Sequence, residues 1–314
     1  MRPAVFTMAA LTLAMTALIG PVAQAEEIVR EFEVAPGGRL EIDIEAGGID
    51  VQVGDDDKVR VVARIRGSDA DRFELDFRQD GADVRVRGRL TGMMGRYSSR
   101  NLSIDIRAEV PERFDLELET SGGSIEVGDV DGEVDADTAG GSILIGRVKG
   151  PVRADTAGGA IEIMASADEV DADTAGGSIH LGDIGGRIKA DTSGGSIRVE
   201  RALAKARLST AGGGIRVKAA HAAVDADTVG GGIKVDFLTQ PDDRSRLSTT
   251  GGSVTVGIAD GVGFDVRGRS GSRVRSDFPI QDDDDDPGRV EGPVNGGGPR
   301  LELRSSGRIR IEQR

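Results

Sequence analysis

The 314 residues carry 54 acidic against 40 basic side chains, a formal charge of −14 at neutral pH, which argues against nucleic acid or an anionic lipid surface as a general partner. Cysteine is absent, so the chain has neither a disulfide framework nor a thiol to carry a lipid. Aromatics are only 3% of the residues and glycines number 47, which excludes a conventional core of bulky rings, while the plentiful Val and Ile exclude disorder.

The first segment reads as a secretory signal. Arg2 gives a positive start, Ala4 to Ile19 run without a charge, Gly20-Pro21 break the stretch, and Ala23-Gln24-Ala25 supply small residues for cleavage before Glu26. The apolar run is shorter than the ~20 residues a spanning helix needs, so a cleaved leader is expected and, with it, a periplasmic or secreted product. No later stretch is apolar enough to span a membrane, and the closing residues Gly307 to Arg314 hold no hydrophobic anchor.

Residues 26–114 are expected to form divergent N-terminal β coils. Ala46-Gly47-Gly48-Ile49-Asp50-Val51 is a loose copy of the repeat that follows, and Val59 to Ile65, Val84 to Val86 and Leu102 to Ile106 alternate as strands do. A polar, Gly-rich excursion, Thr91 to Asn101, interrupts them.

Residues 115–275 hold the regular repeat. Thr120, Thr138, Thr156, Thr174, Thr192, Thr210 and Thr228 recur every eighteen positions, and Thr249 follows after an insertion around Gln240-Pro241-Asp242-Asp243. Each opens the pattern Thr-X-Gly-Gly-(Ser/Ala/Gly)-(Ile/Val). Such a period marks stacked supersecondary units. Within a unit, Val134, Ala136 and Thr138 fall on one strand face and Asp135 and Asp137 on the other, and Ile143 and Ile145 repeat the alternation beyond the Gly pair. The pair itself is expected to supply backbone conformations that a Cβ resists. Stacking would align Ile125, Ile143 and Ile161 in one inward column and the Thr residues in another, with hydroxyls bonding from coil to coil. The fold expected is all-β: a single parallel β-solenoid of about 18 residues per coil with divergent end coils. An antiparallel meander with Gly-Gly hairpins is the rival, but its number of short strands exceeds the ~2–10 usual in a sheet.

Residues 276–314 are expected to provide an acidic loop, with five aspartates from Asp282 to Asp286, and C-terminal capping strands that begin at Gly296-Gly297-Gly298-Pro299-Arg300-Leu301. The Thr-(Ala/Ser)-Gly-Gly-Ser-Ile repeats, the early Gly37-Gly38-Arg39-Leu40-Glu41-Ile42 strand and this closing segment together resemble a bacterial β-strand-repeat family that carries the name "putative adhesin" and is otherwise a domain of unknown function. The resemblance spans residues 31–314. It implies a solenoid-like exported protein with an adhesive role, and it carries over no functional residue, because the shared motifs are turns.

No catalytic constellation is visible. His180 and His221, the only histidines, fall more than two coils apart, whereas a Ser-His-Asp or His-based metal site needs convergence. Phosphate-loop and calcium β-roll patterns are absent. Two weaker features remain. Asp137, Asp155, Asp173 and Asp191 stack outward beside the Thr column, either as a row of weak Ca²⁺ ligands or as Asx side chains bonding turn N–H groups. Residues 187–218 hold eight bases against two acids, while 115–146 hold nine acids and no base. This makes Arg198, Arg207, Arg216 and Lys218 a candidate surface for an anionic polymer or for self-association.

The function expected is an exported, non-enzymatic, adhesin-like binding or scaffold protein of the cell envelope, with a protein or polysaccharide partner and no cofactor beyond the Ca²⁺ option. The competing reading is a β-helix polysaccharide-cleaving enzyme using Asp155, Asp173 and Lys189 with Ca²⁺, supported by fold analogy alone.

Overall fold

The eighteen-residue period fixes a coil of two strands and two turns. Val134–Thr138 runs out, the Gly140-Gly141 turn reverses the chain, and Ile143–Val148 runs back before a second turn leads to Val152–Thr156. In the computed structural model, which describes residues 26–55, 57–67, 70–91, 102–283 and 286–314, successive coils pair in parallel with a shift of one full period. Val134 lies opposite Val152 and Thr138 opposite Thr156, while Ile143 lies opposite Ile161. The parallel register rejects the hairpin meander and establishes a β-solenoid. Its two faces are a sheet built from the strands that end in Thr and a sheet built from the strands that begin with Ile, here called the Thr sheet and the Ile sheet.

Between the sheets the core is narrow because one layer consists largely of alanine. Ala136, Ala154, Ala172, Ala190 and Ala226 are buried, and they face the buried Ile and Val columns of the other sheet. Burying these columns supplies the main stabilisation. The buried Thr residues do not bond to one another, as the sequence suggested. Each hydroxyl instead donates to the carbonyl of the second turn glycine one coil below, as Thr174 Oγ1 does to Gly159 O at 2.8 Å, and accepts from its own turn, here from Gly177 N at 3.2 Å. A carbonyl at the coil edge would otherwise be buried without a donor. Replacing Thr174 with Val keeps the volume but removes both bonds. We expect a loss of about 1–3 kcal/mol, read as a lower urea midpoint with an unchanged slope; an unshifted midpoint would contradict this role.

The Gly pair also works differently from expectation. None of the repeat glycines has a positive φ. What the second glycine supplies is close approach: a Cβ at Gly141, Gly159, Gly177, Gly195 or Gly213 would meet the backbone of the coil below well under 3.0 Å.

Both ends depart from simple stacking. At the N-terminal end Arg39–Ile44 and Gly48–Val53 form a coil directly against Asp115–Thr120 and Ile125–Val127. Asp83–Leu90 and Leu102–Val110, later in the chain, pair in parallel on the outer side of that coil. Antiparallel strands then close the end, Lys58–Gly67 and Glu26–Glu33 on the Ile sheet and Phe73–Asp80 on the Thr sheet. Much of residues 26–114 is therefore an antiparallel cap rather than a series of coils. At the other end Arg300–Ser305 and Ile309–Gln313 insert between the last regular coil and Phe264–Ser270 with Arg275–Ser276. A boundary at 275/276 thus falls inside the cap. Gln281–Asp283 pairs antiparallel with Asp286–Val294, so Asp282, Asp283 and Asp286 of the expected acidic loop lie in paired strands, while Asp284 and Asp285 lie outside the described residues. The insertion after Phe237 joins this cap through Gln240, whose amide accepts from Gly263 N and donates to Gly263 O. The expected signal peptide, residues 1–25, and residues 92–101 of the polar excursion lie outside the described residues. No helix among the described residues is long and apolar enough to cross a membrane.

Candidate functional site: the outward faces of the two sheets

Alternation within each strand sends every second side chain to solvent, and the parallel register turns those side chains into rows about 4.8 Å apart. The chemistry of the molecule therefore lies in its outward rows.

On the Thr sheet the expected aspartate row is present, with Asp137, Asp155, Asp173 and Asp191 in direct register. Its carboxylates are not turn caps, since the Thr hydroxyls accept from the turn N–H groups. Two of them meet cations of the adjoining row instead. Arg153 Nε lies 2.9 Å from Asp155, and Lys189 Nζ lies 2.9 Å from Asp171 and 3.9 Å from Asp191. Among the described residues no group of three or more His, Cys, Asp or Glu side chains converges as a metal site. Lys189, considered as a catalytic base beside Asp155 and Asp173, is held by Asp171.

Burial, reinforced by neighbouring carboxylates, pushes Asp137 and Asp191 above the ordinary carboxylate range. A raised folded-state pKa penalises the folded protein while the group is ionised; the penalty shrinks as pH falls through that pKa and is gone below the unfolded-state value. Asp191→Asn is therefore expected to stabilise the protein slightly at pH 7, by no more than about 0.5 kcal/mol, and to have no effect below pH ~3. Thermal melts at both pH values check this; a destabilised variant at pH 7 would contradict it.

On the Ile sheet the outward row runs Glu162, His180, Arg198, Arg216, Lys234. The four cations singled out from sequence do not form one patch. Arg198 and Arg216 are adjacent, and Lys218 shares their face, but Lys218 is bonded to Glu200 at 2.6 Å. That bond, with His180 at 3.4 Å, holds the Glu200 carboxyl below its ordinary range. Arg207 lies in the Thr sheet, opposite Lys189 and Asp225. The residue that sequence reasoning missed is Lys234, next in register after Arg216, and its signal was the same eighteen-residue step that relates Arg198 to Arg216. His221 stands apart at a coil edge beside Thr239, so the two histidines do not converge.

Residues 39–306 match the family described as Toastrack DUF4097. No curated protein matches the chain. Solved structures similar to it include a protein from Clostridium sporogenes named a putative cell adhesion protein, with 10% identity, 93% of this chain and 100% of that one covered, and a TM-score of 0.25. A protein from Parabacteroides distasonis named a putative lipid binding protein has 13% identity, coverages of 92% and 98%, and a TM-score of 0.42. A Bacteroides fragilis protein named a putative adhesin has 10% identity, coverages of 94% and 100%, and a TM-score of 0.35.

Proposed function

The chain belongs to the Toastrack DUF4097 family, and on that premise we propose that it is an exported, non-enzymatic binding protein of the bacterial cell envelope. It makes multivalent contact through the outward faces of its solenoid. The observation that carries this reading is the parallel register itself, which repeats equivalent outward positions coil after coil on both sheets. A row of equivalent weak contacts favours an extended partner over a small substrate, because each further contact forms at high effective concentration. Export is the part of the reading that rests on the leader-like residues 1–25.

An enzyme needs a nucleophile, acid or base aimed at one point. The described histidines and carboxylates are spread along rows and do not converge on one point, so the polysaccharide-cleaving alternative has no observation in its favour. The test is a panel of envelope and host polysaccharides presented to the purified protein with Ca²⁺ or with EDTA, with binding and cleavage monitored together. Saturable binding without cleavage is the expected result, and an EDTA-sensitive signal would bring the aspartate row into the contact. Cleavage above a blank would overturn the proposal. Fractionation of the producing cell tests export separately; a purely cytoplasmic product would refute that part.

A further inference from the structure

We infer that Arg198, Arg216 and Lys234 form a single binding row for a linear carboxylated polysaccharide lying along the solenoid axis on the Ile sheet. The inference deepens the binding reading above and rests on it.

The three cations occupy consecutive coils in direct register, so their backbone origins are about 4.8 Å apart. That step is of the order of one sugar unit, so a short stretch of a linear polymer with a carboxylate on each sugar is long enough to reach all three cations. Beside them runs a row with no side chain larger than serine: Ser178, Ser196, Gly214, Gly232 and Ser253. The long cationic row and this low row together line an open groove of about 460 Å³.

Charge accounting marks this row out on the Ile-sheet face. The acids that share the Ile-sheet face in these coils are already neutralised: Glu200 by Lys218 at 2.6 Å, Asp183 by Arg201 at 3.2 Å and Asp236 by Arg314 at 2.7 Å. No carboxylate lies within ion-pair distance of Arg198, Arg216 or Lys234 among the described residues, so the face keeps three uncompensated positive charges on a protein whose net charge is −14. On the Thr sheet the cations do not form such a run: Arg153 and Lys189 are bonded to adjacent aspartates, and Arg207 stands between Lys189 and Asp225. Like charges stacked at strand spacing repel, and an anionic ligand relieves that repulsion.

The chemistry selects among polyanions. Guanidinium forks engage oxyanions, carboxylates among them, through paired hydrogen bonds. A single-file row suits a linear chain, whereas a broad anionic membrane would meet the repulsion of the whole acidic molecule. The groove lining has no Phe, Tyr or Trp and a single imidazole, His180, at one end, so a run of nucleobases has no series of rings to stack on.

The experiment measures binding of the full protein to polygalacturonate at low and high salt. Its comparison proteins are the Arg198→Gln/Arg216→Gln/Lys234→Gln triple variant and, as a control on the opposite sheet, Arg207→Gln. All four substituted side chains point away from the core, and circular dichroism serves as the check that the variants keep their fold. The wild type is expected to bind saturably at low salt and weaken steeply as salt rises. The triple variant should lose about tenfold or more, while Arg207→Gln stays near wild type. Equal binding by the triple variant overturns the site, and so does a wild type that ignores polygalacturonate. Binding to neutral polysaccharides with silence toward polygalacturonate would remove this site while leaving the binding reading intact. Binding only to anionic vesicles would make the row a lipid contact and overturn the polysaccharide assignment. Cleavage of the polymer would overturn the non-enzymatic reading itself.

Discussion

Gly177→Ala is expected to be among the most damaging single substitutions in the central coils, although it adds one methyl group and leaves φ unstrained. A Cβ at this position would meet the carbonyl oxygen and carbon of Gly159 under 3.0 Å. Ordinary overpacking costs about 1–3 kcal/mol, and that figure assumes that side chains can turn aside. Here the obstacle is backbone already committed on both sides. Gly159 O accepts from Thr174 Oγ1 at 2.8 Å, and Gly177 O accepts from Thr192 Oγ1 at 2.8 Å. Separating the coils to admit the methyl stretches both bonds and the parallel ladder that flanks them, so the cost should exceed the upper end of that range.

Gly140→Ala is the matched control. It is the first glycine of its turn, its φ is not positive, and the nearest heavy atom to an added Cβ is 4.0 Å away. Restricting the unfolded chain should make this variant neutral or more stable by about 0.4–1 kcal/mol. Urea unfolding of the two variants side by side decides the point. Equal losses would mean that both glycines serve backbone conformation and that close approach is not the governing constraint.

This contrast also shows what the sequence could and could not reveal. A solenoid repeats by translation, so the spacing from Thr138 to Thr156 to Thr174 identifies the coil, the inward columns and the outward rows without knowledge of distant contacts. The reason for each glycine is not periodic information. Gly140 and Gly141 look equivalent in the sequence, and only the coil spacing separates them. The same limit explains the turn caps, where Thr and Asp are both able to bond turn N–H groups but only Thr faces inward. The basic residues show the period being half used. Arg216 lies eighteen positions from Arg198 and therefore beside it, whereas Arg207 lies nine positions away, half a coil, and therefore in the opposite sheet. The ends were the least legible. Gly296 to Leu303 announces a coil, but alternation does not say whether that coil stacks outside residues 264–276 or inside them, because both partners offer the same strand edge.

That insertion has the second large expected consequence. In a simple solenoid the last coil touches one neighbour, and its removal costs one interface. Here residues 300–313 touch two, the regular coil at Ser245–Thr249 and Val254–Ile258 and the outer strands at Phe264–Ser270 and Arg275–Ser276. Deleting residues 299–314 removes Leu301, Leu303, Ile309 and Ile311, each 1% exposed or less. At about 1.5–3 kcal/mol per buried aliphatic side chain, this is roughly 6–12 kcal/mol as an upper estimate. A whole domain is typically stable by only about 5–15 kcal/mol. Polar ties are lost as well: Ser305 Oγ donates to Gly252 O at 2.7 Å in the place a repeat Thr would take, and Arg314 grips Asp236. The outer strands cannot simply drop onto the gap, since Gln240 fixes Gly263 to the preceding insertion. The truncated protein is therefore expected to aggregate or to lose its cooperative unfolding transition. A deletion of residues 281–294, which removes only the outermost hairpin, should leave a folded solenoid of lower stability. Expression of the two deletions and their unfolding curves provide the check. A truncation at residue 298 that remained as cooperative as the hairpin deletion would show that the inserted coil is dispensable, and with it the account of how this end of the solenoid is closed.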